Sequence, residues 1–600
     1  MSQTDFAIGI GGENGQGIAT SGNVLARIFA RRGLHFVAYN AYQSIIRGGH
    51  TFLTLRASDG EVLSHGDRID ALLCLNQDTM DRHLPIMKAG SSVIFDSDKI
   101  KPGTSADGVQ ICGIPCKDLT PNKLLTNTVV LGAVLNMLGI EFAYLEEILT
   151  VQFKKKGDAV ITENLGAAKG GFDYAAANFK PYPKPLPKTG RKLGVLTGND
   201  ALAMGGVAAG VNFFAAYPMS PATGVLVWFA KHARELGIMV RQVEDEIGVA
   251  NMIIGAAHGG CRAMCATSGG GFALMTEAFG AAAMMEIPVV GINVQRAGPA
   301  TGVPTKTEQG DLWQALGAGQ GDYPRAIVSV SSVEDAFRTV PELFNLLDKF
   351  HCPGIILSDL LVSEGTASVD LDALKFDGPI DRGPIIFPKD APSTTAPSSG
   401  VNDRAYLRYK ITESGVSPRA VPGVPGHLHV ASSDEHDEDG VLISDEYTNP
   451  KKRRAMHEKR MRKVEGMLKS VAPPKLFGPA IAAVTLVGWG STCGVIREAV
   501  AKLAGEEGIV ANHLHVKWLV PFHAKEILEI LSKSKKVILV ENSLSGQFAR
   551  YLRSETGFTA HGHIRKYDGE PFMPHHLVEA VKEQLAGKTT LSVPEHEITV

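Results

Sequence analysis

Apolar and polar positions along the chain follow two periods. Residues 6–10, Phe-Ala-Ile-Gly-Ile, form an unbroken apolar run of strand length, and apolar side chains recur at helical spacing from position 18 to about 31. Between them, Gly11-Gly12-Glu13-Asn14-Gly15-Gln16-Gly17 reads as a glycine-rich turn, so strand, turn and helix open an α/β unit. Apolar runs at 71–75 and 92–95 predict two more strands, and 127–138 predicts a helix. The pattern then breaks at Lys180-Pro-Tyr-Pro-Lys-Pro-Leu-Pro-Lys-Thr-Gly-Arg191. Proline cannot continue a helix or a central strand, so 181–191 is expected to be an extended linker closing a first domain, 1–180.

Beyond the linker the period switches repeatedly. Helices are predicted at 222–236, 246–258, 271–285 and from Ser332 to about 350, and strands at 238–243, 262–267, 289–294 and 355–358. Such alternation predicts a parallel sheet covered on both faces, forming a second domain over 192–375. Residues 376–475 have a different character. A Pro/Ser/Thr-rich stretch leads to an acidic run at 432–439 and then to Lys451-Lys-Arg-Arg-Ala-Met-His-Glu-Lys-Arg460. This reads as a connecting segment that wraps a surface and ends in a charged helix with a solvated face. A third domain, 476–600, carries expected strands at 482–487, 513–516 and 536–541. The fold class is therefore multidomain α/β with parallel sheets.

Length and charge narrow the function. A chain of 600 residues exceeds what one core supports. A formal net charge of -3 offers no general attraction for nucleic acid or an anionic membrane. The longest apolar run, 129–140, is too short to span a bilayer and contains Asn136, and no signal peptide precedes the first strand. A cytoplasmic location is the expectation. Seven cysteines without a Cys-x2-Cys pair suit a reducing compartment, core positions and no iron–sulfur cluster in this chain.

Candidate chemistry gathers at the predicted strand ends of the second domain. Tyr217-Pro218-Met219-Ser220-Pro221 makes a rigid turn that presents a hydroxyl at a helix start. Val243-Glu244-Asp245-Glu246 enters a helix rich in small residues; first-turn acids are commonplace, but Glu246 begins an apolar face and suits a buried carboxylate. Thr267-Ser268-Gly269-Gly270-Gly271 lets a flat ligand approach backbone. Arg296 follows a strand and leads through Thr301 and Thr305 to Gly310-Asp311. In the first domain, Gly12 and Gly15 could cradle a phosphate, and Arg47-Gly48-Gly49 sets a cation beside flexible backbone.

Together these motifs resemble the 2-oxoacid:ferredoxin oxidoreductases, over most of the chain. The second domain resembles the family's pyrimidine-binding domain for thiamine diphosphate, the first its gamma domain. Val487-Gly488-Trp489-Gly490-Ser491-Thr492 and Glu541-Asn542-Ser543-Leu544-Ser545-Gly546-Gln547-Phe548 resemble its transketolase-like C-terminal domain. The resemblance implies Glu246 as the catalytic carboxylate at the pyrimidine nitrogen, and Tyr217, Pro218, Ser268 and Gly269 as cofactor contacts. It implies Arg296 on the substrate carboxylate with Ser220, Thr301 and Thr305 nearby, and Gly12, Gly15 and Arg47 on coenzyme A. Ser220 stands where many relatives carry Thr. No Gly-Asp-Gly occurs, so the diphosphate–Mg2+ half of the cofactor site and a [4Fe-4S] cluster are expected from a smaller beta subunit in an (alpha-beta)2 heterotetramer that passes electrons to ferredoxin. The order gamma then alpha resembles the fused large subunit of the family's two-subunit enzymes, and that layout with the Glu541–Phe548 region points to a 2-oxoglutarate enzyme. A pyruvate or broad-range 2-oxoacid enzyme, or a nucleotide-binding scaffold without catalysis, are the alternatives.

Overall fold

The computed structural model describes residues 4–43, 48–390, 406–442 and 449–597. The strongest alternation, in the second domain, builds a sheet of seven strands. Their order is Trp518–Val520, Ala326–Ser329, Gly354–Asp359, Val290–Gln295, Ala263–Thr267, Phe213–Ala216 and Met239–Gln242. All pair in parallel except the first, which the C-terminal domain contributes. The strands Gly354–Asp359, Val290–Gln295 and Ala263–Thr267 are buried throughout, which is why they read as continuous apolar runs. Helices Gly198–Ala208, Thr223–Leu236 and Val333–Phe350 cover one face, and Glu246–His258 and Gly269–Met284 the other. The Ser332 hydroxyl accepts from Asp335 N (3.2 Å) and starts its helix as expected of an N-cap.

The first domain is a mixed sheet. Gln110–Ile114, Ser92–Asp96, Ala71–Cys74 and Asp5–Asn14 pair in parallel, and Asp5–Asn14 then pairs antiparallel with Gly48–Ser58 and that strand with His35–Ala41. The expected glycine turn is mostly strand, because Gly11, Gly12 and Asn14 pair with Phe52, Thr51 and Gly48. Only Gly15 and Gly17 take positive φ, at 98° and 84°, before helix Ile18–Arg31. Likewise Gly48–Thr51, expected as flexible backbone, opens a strand in which Thr51 is buried.

The sheet does not stop at the proline linker. Strands Thr366–Asp370 and Leu193–Thr197, which flank the second domain in sequence, extend the first domain's sheet to eight strands. The linker lies against that domain: Tyr182 N donates to Met137 O (2.7 Å) and Arg32 donates to the Leu186 carbonyl (2.6 Å). The C-terminal domain is a six-stranded sheet, and its apolar core is continuous with the second domain's through Trp489, Leu519 and Phe522.

The described part of 376–475 packs against the second domain, and its charged helices carry a buried charged face besides the solvated one expected. Helices Pro450–Met461 and Lys463–Ser470 bury Lys459 and Lys463, whose ammonium groups meet Glu286 at 2.5 and 2.7 Å. Arg408 donates to the carbonyls of Met285 and Glu286, and Arg419 to that of Ala257. These are the C-terminal ends of the helices over one face of the sheet, where cations are favoured. No described helix is long and apolar enough to cross a membrane.

Candidate active site

Four neighbouring parallel strands end on one edge of the seven-stranded sheet, and each delivers one predicted motif there. Phe213–Ala216 leads to Tyr217–Ser220, Met239–Gln242 to Glu246, Ala263–Thr267 to Ser268 and Gly269, and Val290–Gln295 to Arg296. The carboxyl ends of parallel strands are where open α/β sheets hold ligands.

Asp245 caps helix Glu246–His258, its carboxylate accepting from Gly248 N at 2.6 Å. Glu246, the next residue, is thereby turned inward and is only 3% exposed. One oxygen, Oε1, is sealed from solvent without a hydrogen-bond partner. Gly271 makes room for it: a Cβ there would lie 2.4 Å from Glu246 Oε1 and 2.2 Å from Thr267 Oγ1. Ser268 is fully buried and its hydroxyl is also unpartnered. A buried carboxylate oxygen and hydroxyl without partners need a polar ligand. The protonated ring nitrogen of a thiamine pyrimidine fits that need, so the residues suit the cofactor that the resemblance implies.

Gly269 serves a second carboxylate, since a Cβ there would stand 2.5 Å from Asp311 Oδ2. Asn293 Nδ2 donates to that oxygen (3.1 Å), and Gln295 Oε1 accepts from Asp311 N (3.1 Å). Burial pushes the Asp311 carboxyl up to about 6, against the opposing pull of Asn293 and Arg296. Burial likewise raises Glu308 to about 7. Neither acid was singled out as a site residue from sequence. The available signal was Asn293 and Gln295, two amides inside an otherwise apolar strand.

Arg296 is half-buried, and one of its nitrogens donates to the Ser220 carbonyl at 2.7 Å. It makes no other hydrogen bond to a described residue, so the rest of the guanidinium can take a carboxylate. Tyr217, Pro218 and Ser220 are exposed on the rim, as is Thr301, whereas Thr305 is buried. The loop between Arg296 and Asp311 is tight: Ala297 bridges Val303, and Ala300 takes φ 55°.

The C-terminal motifs grip this loop. Gln309 N donates to Asn542 O (2.7 Å), Asn542 N returns a bond to Gln309 Oε1 (3.0 Å), and Gln309 Nε2 donates to the Trp489 carbonyl (2.9 Å). Gln547 donates to Gly310 O and accepts from Trp313 N. Glu541 turns inward as a helix cap, accepting from Phe548 N and Ala549 N, with its carboxyl raised to about 7 by burial. The first domain reaches the same loop through Tyr39, whose hydroxyl donates to Glu570 (2.7 Å), the carboxylate that also pairs with Lys306. Gly12 belongs to the first domain's sheet and Gly15 to the turn that follows its strand, neither on the edge that carries Glu246, and Arg47 lies outside the described residues.

Known proteins with related sequences divide the chain in the same order. Residues 7–174 match the family described as pyruvate ferredoxin/flavodoxin oxidoreductase. Residues 204–382 match pyruvate flavodoxin/ferredoxin oxidoreductase, thiamine diP-bdg, and 482–577 match pyruvate:ferredoxin oxidoreductase core domain II. The 2-oxoacid:ferredoxin oxidoreductase 2, subunit alpha, of Aeropyrum pernix is 31% identical, with 97% of this chain and 98% of that protein covered. The 2-oxoglutarate oxidoreductase subunit KorA of Mycobacterium tuberculosis is 28% identical over 97% of this chain and 92% of its own length. Among solved structures, 2-oxoglutarate:ferredoxin oxidoreductase from Magnetococcus marinus, with 2-oxoglutarate, coenzyme A and succinyl-CoA bound, is 33% identical with a TM-score of 0.88, covering 97% of this chain and 99% of its own. With this likeness running nearly end to end, the chain belongs to the 2-oxoacid:ferredoxin oxidoreductases, an oxidoreductase family that acts with ferredoxin.

Proposed function

We propose that this chain is the large subunit of a 2-oxoglutarate:ferredoxin oxidoreductase. The reaction converts 2-oxoglutarate, coenzyme A and two oxidised ferredoxins to succinyl-CoA, carbon dioxide, two reduced ferredoxins and a proton. The observation that carries the reading is the sealed, unpartnered Oε1 of Glu246 beneath Gly271. Thiamine diphosphate, when bound, supplies the electron sink for decarboxylation of a 2-oxoacid. Glu246 accepts a hydrogen bond from the protonated pyrimidine nitrogen, and Ser268 and the Gly269 backbone border the ring with Tyr217 and Pro218. Arg296 uses its open side for the substrate carboxylate, and Ser220, Thr301 and Thr305 line the approach. Gly12, Gly15 and Arg47 are the candidates for coenzyme A.

A smaller partner completes the site. Helices Glu246–His258 and Gly269–Met284 are apolar nearly all round, yet Ile247, Met252 and Leu274 stand 50, 44 and 53% exposed beside the site. Such a face is normally covered. The partner would bring the Mg2+–diphosphate half and a [4Fe-4S] cluster, giving an (alpha-beta)2 heterotetramer in the cytoplasm. Preference for 2-oxoglutarate is supported by the Magnetococcus marinus enzyme, at 33% identity over 97% of the chain. The Aeropyrum pernix relative, named only for 2-oxoacids, favours a broad-range enzyme as the second reading.

The test is viologen reduction by the chain co-purified with its partner. Glu246→Gln should lower kcat with 2-oxoglutarate by roughly 10²–10⁴-fold while circular dichroism stays unchanged. A variant within a few-fold of the parent removes Glu246 from catalysis. Comparable kcat/KM for pyruvate and 2-oxoglutarate would select the broad-range reading.

A further inference from the structure

A cavity of about 1130 Å³ lies where the three domains meet, bordered by His35 and His65 of the first, Asp335 of the second and Lys517 of the third. Glu246, Ser268, Asp311 and Arg296 do not line it, and Asn542, which holds Gln309, is the residue it shares with the loop described above. Cys493 and His515 lie on its wall, and His513 joins them, the sulfur and one ring nitrogen of each histidine all lying within 4.8 Å of one another.

The local structure explains the convergence. His513 and His515 are two apart on strand Ala511–His515 and so point to one face. That strand pairs in parallel with Val484–Gly488, which leads into helix Thr492–Glu506 with Cys493 in its first turn. The three are 7, 0 and 6% exposed in chain order. All four histidine ring nitrogens are buried without a hydrogen-bond partner. A neutral imidazole has one donor and one acceptor, and buried polar atoms in folded proteins nearly always find partners. One unpartnered nitrogen of each imidazole stands close to the thiol, and this grouping points to a missing ligand rather than to ordinary core packing, which was the sequence expectation for Cys493.

We propose that Cys493, His513 and His515 bind one borderline-soft divalent transition metal ion, zinc by their donor set, leaving the fourth position to the cavity. Imidazole nitrogen and thiolate sulfur are the ligands zinc takes, and three protein ligands leave a position for water or a cavity ligand. They contain no oxygen donor of the kind that calcium or magnesium requires. On binding, the thiol proton passes to solvent and the sulfur–metal bond replaces the S–H bond. Nearby cations do not block the ion. Arg497 pairs with Glu61, Lys517 with Asp335 and Glu342, and the Lys475 ammonium lies over the Phe477 ring, while the thiolate itself offsets part of the metal's charge.

The experiment loads the complex of this chain and its partner with zinc alone, passes it through a desalting column, and measures zinc per chain and X-ray absorption at the zinc edge. The expected result is one zinc per chain with one sulfur at roughly 2.3 Å and two nitrogens at roughly 2.0–2.1 Å. Cys493→Ser combined with His513→Gln should lower bound zinc at least tenfold and leave viologen reduction unchanged. Parent protein with less than a tenth of an equivalent, or zinc without a sulfur neighbour, overturns the site whether or not the variant folds. So does a folded double variant that keeps its zinc.

Discussion

Gly271 and Asp311 show how single residues shape the site. A methyl group at 271 would meet both Glu246 Oε1 and Thr267 Oγ1 well inside van der Waals contact, so Gly271→Ala must displace the carboxylate. It is expected to cost about 1–3 kcal/mol of stability and to lower kcat at least tenfold, measured by thermal melts and viologen reduction. Asp311 carries a pH signature. Its folded carboxyl titrates near 6, above the usual range, so between about pH 4 and 6 the folded chain holds a proton that the unfolded chain releases. Stability must therefore fall as pH rises through that window, by on the order of 2–3 kcal/mol. Thermal melts at pH 4 and 7 should show this loss in the parent, and Asp311→Asn should lack that share of it. Equal pH slopes for the two proteins would show Asp311 to be ionised throughout.

At the scale of elements, the charged helices around Lys459 and Lys463 behave unlike a surface. Their sequence is strongly polar, and polarity alone reads as exposure. The helices instead deliver two ammonium groups to one buried carboxylate, Glu286, which they hold well below the usual carboxylate range despite its burial. Burial draws Lys459 down to about 7, since a single carboxylate cannot fully balance two ammonium charges. The pair gives opposite predictions. Glu286→Gln strands both cations and should destabilise by about 3–5 kcal/mol, whereas Lys459→Met should be nearly neutral or stabilising. Because Glu286 has a lowered folded value, its contribution is fully present above the unfolded carboxyl pKa and is lost progressively as pH falls from there through the folded value. Chemical denaturation at pH 7 and at pH 4 checks both points: the cost of Glu286→Gln should shrink at the lower pH.

At the scale of the molecule, the domains are tied through shared strands and a few dense polar contacts. Glu498 of the third domain accepts from Arg56 (2.6 Å), Leu63 N (2.9 Å), Ser64 N (3.0 Å) and the Ser64 hydroxyl (2.7 Å) of the first. Glu498→Ala should cost about 3 kcal/mol by leaving Arg56 with only Asp5, and should speed proteolysis between the two domains. Unchanged melting and proteolysis would show that the shared sheets alone hold them. The amino-acid sequence by itself determined four strands and four helices of the second domain and the four motifs after its strands, because parallel strands buried on both faces are continuous apolar runs and their following loops are punctuated by Gly, Pro and acids; strand Ala326–Ser329 and helix Gly198–Ala208 emerged only in the fold. It carried the family as well. Only the tertiary structure decided that Gly11–Asn14 continues a strand, that Thr366–Asp370 and Leu193–Thr197 belong to the first sheet, and that Lys459 is buried. It also decided that Asp311 shares the edge with Glu246 and that Gln309 and Gln547 hold the loop between the domains. Pairing partners, burial and the neighbours of a charge are set by residues distant in the chain, and local pattern carries no record of them.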